Sequence, residues 1–258
     1  MRRTGGFAPA DMVRWNRWVF EDPYYVGLSS INGKAMALVL LIRHGQASFG
    51  SDHYDQLSAL GRQQARWLGE YLLACGAAPV RVVSGGLERQ RHTAHVLLEA
   101  MGGRLEPEVD PRLDEYQGEA LYACHTGNAD PLTHQRRDRR DYWRTFRAAM
   151  QAWADDRLPG APESWGDFGE RVRAALLHAT RDTARDDRII VVTSGGPIGR
   201  TVSEILGAPA STAIELNLQF RNTGVCELIA GTQTLRLLSY NNVPHLEAPE
   251  RRSSITFA

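Results

Sequence analysis

The chain has 258 residues, 43% of them apolar and 23% charged, with 30 Lys or Arg against 30 Asp or Glu. This is the profile of a globular chain with one sizeable domain. The balanced charge excludes a general pull toward nucleic acid or an anionic membrane, so any anion recognition must be local. Lys34 is the single lysine, and such an arginine bias suits bidentate anion binding but equally follows from high-GC coding. No apolar run approaches the ~20 residues that span a bilayer. Cys75, Cys124 and Cys226 are far apart and form no CxxC pattern, which argues against a disulfide framework or a zinc site and fits a cytoplasmic setting. Arg2-Arg3 is similar to a twin-arginine signal, but no apolar stretch follows it, so export is not expected.

Residues 1–35 hold Trp15, Trp18, Tyr24 and Tyr25 without a clear period. They read as a weakly ordered N-terminal extension or as a misassigned start, with a slight preference for a true start at Met36. From there 36–258 reads as one domain. Ala37–Ile42 is a continuous apolar run, as in a strand buried on both faces. Ser58 opens a helix whose apolar stripe runs through Leu60, Ala65, Leu68, Leu72 and Leu73, with Gly76 as its stop. Val80–Val83 is a second strand and Leu87–Met101 a helix before Gly102-Gly103. Residues 104–133 read as a long irregular insertion. An Arg-rich helix over 134–156 follows, then a helix over Trp165–Arg185, a strand over Arg188–Thr193 and a helix over Pro197–Leu206. The tail reads as strands over Ala213–Phe220, Val225–Ile229 and Leu235–Ser239. The alternation predicts an α/β fold, a three-layer α/β/α sandwich on a mainly parallel sheet with antiparallel C-terminal strands.

Ligands of open α/β sheets bind beyond the carboxyl ends of strands. Three features fall at such ends: Arg43-His44-Gly45, Ser84-Gly85-Gly86 leading to Arg89, and Ser194-Gly195-Gly196. Glycine lets backbone N–H groups approach an anion, and two arginines converging there suit a phosphoryl group. A neutral imidazole whose other nitrogen is held by a carbonyl can attack phosphorus. A leaving alkoxide needs a proton. Glu115, inside LDEYQGEAL, is the candidate donor ahead of Asp114 and Glu119. Gln46, Ser48, Phe49 and Tyr54 follow His44 and are candidates to line the pocket.

The segments LVLLIRHGQASFG, LSALGRQQARWLGEYL, VVSGGLERQRHTA, LDEY and IIVVTSGGPIG, in that order, resemble the histidine phosphatase (phosphoglycerate mutase-like) superfamily over roughly residues 36–245. The resemblance implies that His44 is the phosphorylated residue, that Arg43 and Arg89 hold phosphate, and that Glu115 is the proton donor. It implies no metal and no other cofactor, and a small-molecule phosphomonoester as partner; nucleic acid and membrane are not expected, and a homo-oligomer stays open. One position departs from the family. Ser194 stands where the family has a second histidine, a donor to the transferring phosphoryl group. Losing one such donor costs ~10²–10³ in rate.

Bland readings compete. Ser194 is first of all a cap for the following helix. His92, three residues after Arg89, reads as an ordinary surface or core histidine, and with His95 it lacks the partners of a metal site. Trp143 and Trp153 read as core, and Arg136–Arg140 as a solvated face. The preferred function is a metal-independent phosphomonoesterase acting through phospho-His44. Alternatives are a phosphoglycerate mutase, disfavoured because twelve residues separate His44 from Leu57, and a weakly active or non-catalytic phosphoryl-ligand binder, favoured by Ser194. A Ser194 hydrolase with His245 is a further reading, weakened by Val192 where a nucleophile elbow has glycine.

Overall fold

A computed structural model describes residues 36–48, 55–103, 105–127 and 139–257. The expectations for residues 1–35, for Phe49 and Tyr54, and for Arg136 to Asp138 lie outside the described residues.

Ala37–Arg43 (β1) is buried at all seven positions. Its alternating side chains feed two separate cores, because successive strand residues point to opposite faces. Ala37, Val39 and Leu41 join one core with Trp153, Phe168 and Ile198. Leu38, Leu40 and Ile42 join the other with Leu68, Leu97 and Ile190. A strand that serves two cores must be central, and β1 is. The sheet order is β3-β2-β4-β1-β5-β6, with Arg81–Ser84 (β2), Glu108–Val109 (β3), Arg188–Thr193 (β4), Val225–Ala230 (β5) and Leu235–Asn242 (β6). β3, β2, β4 and β1 are mutually parallel, while β5 and β6 are antiparallel additions. This is the three-layer α/β/α architecture expected.

Ala59–Ala74 (α1) and Glu88–Ala100 (α2) cover one face. Ser58 begins α1 with its hydroxyl accepting from the Gly61 N–H at 2.9 Å. Gly118–Thr126 (α3), Arg139–Ala154 (α4), Trp165–Ala179 (α5), Gly195–Ile205 (α6) and Ala210–Gln219 (α7) build the other face.

Three expectations are corrected. Ala213–Phe220 is not a strand. Ile214, Leu216, Leu218 and Phe220 alternate, but burial falls on Ala213, Ile214 and Asn217, a helical spacing, with Pro209 at the N-cap of α7. Residues 104–133 are not irregular throughout: β3, a 3₁₀ turn over Pro111–Leu113 and α3 lie within them. The helix from Trp165 stops at Ala179, six residues early, where the Thr180 hydroxyl turns back to the Leu176 carbonyl and Asp182 takes φ +55°.

Register brings the strand ends together. Arg43 pairs with Thr193, and Ser84 with Val192. The His44 N–H donates to Thr193 O at 2.9 Å, and the Gly85 N–H to Val192 O at 3.0 Å. Beyond them Gly45 lies against the first turn of α1. A Cβ at Gly45 would sit 2.9 Å from the Gly61 carbonyl carbon, and one at Gly61 would sit 2.8 Å from Gln46 N. The loop after the histidine can reach α1 only because both residues lack side chains.

Candidate active site

His44 follows β1 directly and is 5% exposed. Its Nδ1 lies 2.7 Å from the Gly45 carbonyl, and Arg89 Nε donates to its Nε2 at 3.2 Å. A carbonyl can only accept and a guanidinium can only donate, so the proton sits on Nδ1 and the lone pair on Nε2. Burial, then Arg89, then Arg43 hold the imidazole well below its ordinary pKa of 6.5, against a smaller opposing effect of the Gly45 carbonyl. His44 is therefore neutral at physiological pH, with its unprotonated nitrogen facing an arginine.

The surroundings fix this arrangement. The Gly45 N–H donates to the Thr93 hydroxyl at 3.0 Å, and that hydroxyl donates to Arg89 O at 2.7 Å. Asn222 Nδ2 and the Thr223 N–H both donate to the His44 carbonyl, each at 3.3 Å. Arg43 donates to the Phe220 carbonyl. Arg89 pairs with Asp55 at 2.6 Å, and the same carboxylate accepts from the Glu88 N–H at 2.7 Å, so Asp55 anchors both α2 and its arginine. Asp55 was missed in the sequence because it matches no motif by itself.

The histidine opens onto a cleft of about 970 Å³ shared with solvent. Arg43, Arg89, Glu115 and Gln46 line it. The Gln46 amide oxygen accepts from the Ser58 hydroxyl at 2.8 Å, which ties the cleft floor to the start of α1. Glu115 is held by the Gly196 N–H at 3.1 Å, the first turn of α6. A Cβ at Gly196 would collide with this carboxylate and with the Tyr116 ring. Burial raises the Glu115 pKa above its ordinary 4.5, opposed by the Gly196 N–H, Arg89 and Arg43. Burial thus favours the protonated, proton-donating form. Asp114 instead receives the Gly86 and Leu87 N–H groups, and Glu119 is exposed on the cleft wall.

Ser194, Gly195 and Ser48 do not line the cleft. Ser194 is fully buried and occupies the N-cap of α6 without a side-chain cap bond; its hydroxyl receives Gln90 Nε2 at 2.8 Å. Gly195 packs against Asn217, and the Ser48 N–H donates to Gln56 O at 2.8 Å. His92 lies 3.6 Å from Glu88 on the surface of α2, outside the cleft. No metal-binding cluster occurs among the described residues. The Ser194 hydrolase reading is also corrected, because His245 Nε2 pairs with the Thr223 hydroxyl at 2.8 Å while Ser194 pairs with Gln90.

Comparison with known proteins follows the same segments. The family model described as histidine phosphatase superfamily (branch 1) matches residues 39–243. The chain belongs to this superfamily. A relative from Escherichia coli named probable phosphoglycerate mutase GpmB is 30% identical over 226 residues, covering 83% of this chain and 97% of the relative. Among solved structures, a mycobacterial glucosyl-3-phosphoglycerate phosphatase is similar with TM-score 0.58 and 26% identity, covering 81% of this chain and 99% of that one. A Bacillus anthracis phosphoglycerate mutase shares the fold at TM-score 0.59 and 18% identity, over 82% and 96% of the two chains. Both mutases and phosphatases therefore stand among the relatives of this superfamily member.

His245 gives the superfamily domain a measurable acid sensitivity. It is 3% exposed, and burial, followed by Arg251, pushes its pKa down to about 3. Unfolded, it titrates near 6.5. Between those values the unfolded chain binds the extra proton, so the contribution of neutral His245 is complete above about pH 6.5 and is lost as pH falls toward 3. His44 has the same sign. His245→Gln is expected to flatten the fall of urea-unfolding stability between pH 6.5 and 4.5, on the order of a few kcal/mol over the full window. An unchanged pH slope would mean that His245 carries its proton in the fold.

Proposed function

We propose that this chain is a metal-independent phosphomonoesterase that passes the phosphoryl group through Nε2 of His44. The observation that carries the proposal is the neutral imidazole, with Nδ1 on the Gly45 carbonyl and Nε2 toward Arg89, in one cleft with Arg43 and Glu115. Nε2 attacks phosphorus, the P–O bond to the leaving group breaks, and protonated Glu115 gives its proton to the departing oxygen. Water then attacks the phosphohistidine and passes a proton to the Glu115 carboxylate. The P–N bond breaks, and inorganic phosphate leaves neutral His44 behind. Arg43 and Arg89 carry the charge on the phosphoryl oxygens throughout. Ser194 and Gly195 act from behind the cleft in this scheme, by setting Gln90 and the start of α6.

A mutase reading is favoured by the name of the 30% identical relative. It would need a cation for the carboxylate of a phosphoglycerate. Among the described residues the cleft offers Arg43 and Arg89, both beside His44. Hydrolysis is the reading that leaves those two with the phosphoryl group. The direct test is phosphate release from an aryl phosphate in excess chelator. Release at the rate seen without chelator is expected; loss of activity restored by a divalent ion would contradict the scheme.

A further inference from the structure

The cleft lining combines two chemistries. One part is His44, Arg43 and Arg89. The other part is apolar and aromatic. Tyr142, Trp143 and Phe146 come from α4, Leu218 from the end of α7, and Phe257 from the segment after β6. The three α4 rings are already packed together. Trp143 meets Tyr142 edge-on at 5.3 Å and Phe146 edge-on at 5.7 Å, while Tyr142 and Phe146 stack at 5.9 Å. Such a wall offers ring faces and edges at little conformational cost to a ligand.

Phe257 is the unusual member. It is 51% exposed, a large side chain left in water at the cleft rather than in either core. Its backbone is not loose, however. The Asn222 N–H donates to Thr256 O at 2.9 Å, and the Thr256 hydroxyl donates to Asn222 Oδ1 at 2.9 Å. Gln64 Nε2 donates to Thr256 Oγ1 at 2.9 Å and to Ser254 O at 2.7 Å. Asn222 is the same residue whose amide holds the His44 carbonyl. The strap that carries Phe257 is thus bolted to the support of the nucleophile, and it adds an apolar ring to the lining that α4 also supplies.

Charge decides which leaving groups suit this lining. Among the described lining residues the cations are Arg43 and Arg89, and the carboxylates are Glu115 and exposed Glu119. A second anionic group on the substrate would compete with the phosphoryl group for these two arginines and would be repelled by Glu119. An aromatic or bulky apolar alcohol would instead cover Trp143 and Phe257. We infer that the cleft is a leaving-group subsite for phosphomonoesters whose alcohol is aromatic or apolar and carries no second anion, with Phe257 as its specificity-determining cover.

This rests on the phosphatase reading for turnover, but not for binding, and the test separates the two. Hydrolysis of 1-naphthyl phosphate and of 3-phosphoglycerate is compared in the full chain and in Phe257→Ala and Trp143→Leu. Binding of 1-naphthylmethylphosphonate and of methylphosphonate, neither of which can be hydrolysed, is measured by calorimetry. The naphthyl ester is expected to be favoured in kcat/KM by roughly tenfold or more. Phe257→Ala is expected to lower kcat/KM for that ester by about tenfold, chiefly through KM, and that for phosphoglycerate by clearly less. The naphthyl phosphonate is expected to bind more tightly than methylphosphonate, and less so in Phe257→Ala. Equal use of both esters, or an equal effect of Phe257→Ala on both, would overturn the subsite. If neither ester is hydrolysed, the phosphatase reading fails and the phosphonates decide: a naphthyl advantage lost in Phe257→Ala upholds the subsite, and equal binding rejects it.

Discussion

His44→Ala is expected to lower phosphate release from 1-naphthyl phosphate by on the order of 10³-fold or more, measured with wild type and variant at matched concentrations. The size follows from what is removed. The imidazole supplies the only basic nitrogen lone pair in the cleft among the described residues, since the guanidinium groups of Arg43 and Arg89, the amides of Gln46, Asn217 and Asn222 and the indole of Trp143 have none to give. Alanine leaves the arginines to bind the phosphoryl group, so the loss should fall on kcat more than on KM. The fold should survive, because β1 ends at Arg43 and His44 belongs to neither core. A folded His44→Ala protein that still hydrolyses the ester would place the chemistry on another group.

Glu115→Gln is expected to cost about 10²–10⁴-fold in kcat/KM, which reads the first step, with alkyl phosphates, whose alkoxides need a proton, and far less in kcat/KM with aryl phosphates of acidic phenols. The pH profile carries the same argument. The proposed scheme requires neutral His44 and protonated Glu115. Burial and the arginines move the imidazole below 6.5, so the acid limb of kcat/KM should lie below that value. Burial moves the carboxyl above 4.5, so the basic limb should lie above that value. Glu115→Gln should lose the basic limb while keeping the acid one. A basic limb that persists in the variant would assign the proton to a different donor.

The parts of this site that were legible in the sequence are local in the chain. An apolar run ending in Arg43-His44-Gly45 specifies a central strand and what stands at its end. The helix that begins just after Leu87 places Arg89 in its first turn, from where it reaches the histidine. What was not legible depends on contacts between distant segments. Asp55 matters only because α2 brings Arg89 and the Glu88 N–H to it. Trp143 and Trp153 share one helical stripe, yet Trp153 is buried with its Nε1 on Glu163 O, while Trp143 faces the cleft. Phe257 lies outside every motif and reaches the site through Thr256 and Asn222. Ser194 occupies the expected position in the chain, but its hydroxyl is turned to Gln90, a buried partner 104 residues away. The helix over Ala210–Gln219 was misread because so short a segment satisfies both the strand and the helix period.

The central claim is a covalent phosphoryl group on His44, and Glu115→Gln is the protein in which to look for it. With an activated aryl phosphate the first step needs little acid, whereas the second step lacks the carboxylate that receives the proton of water. The intermediate should accumulate. Rapid quench into alkali, followed by peptide mass spectrometry, should find one phosphoryl group on the peptide containing His44, labile to acid and absent when His44→Ala is added. Steady turnover with no phosphorylated histidine at any quench time, or a phosphoryl group on another residue, would contradict the account.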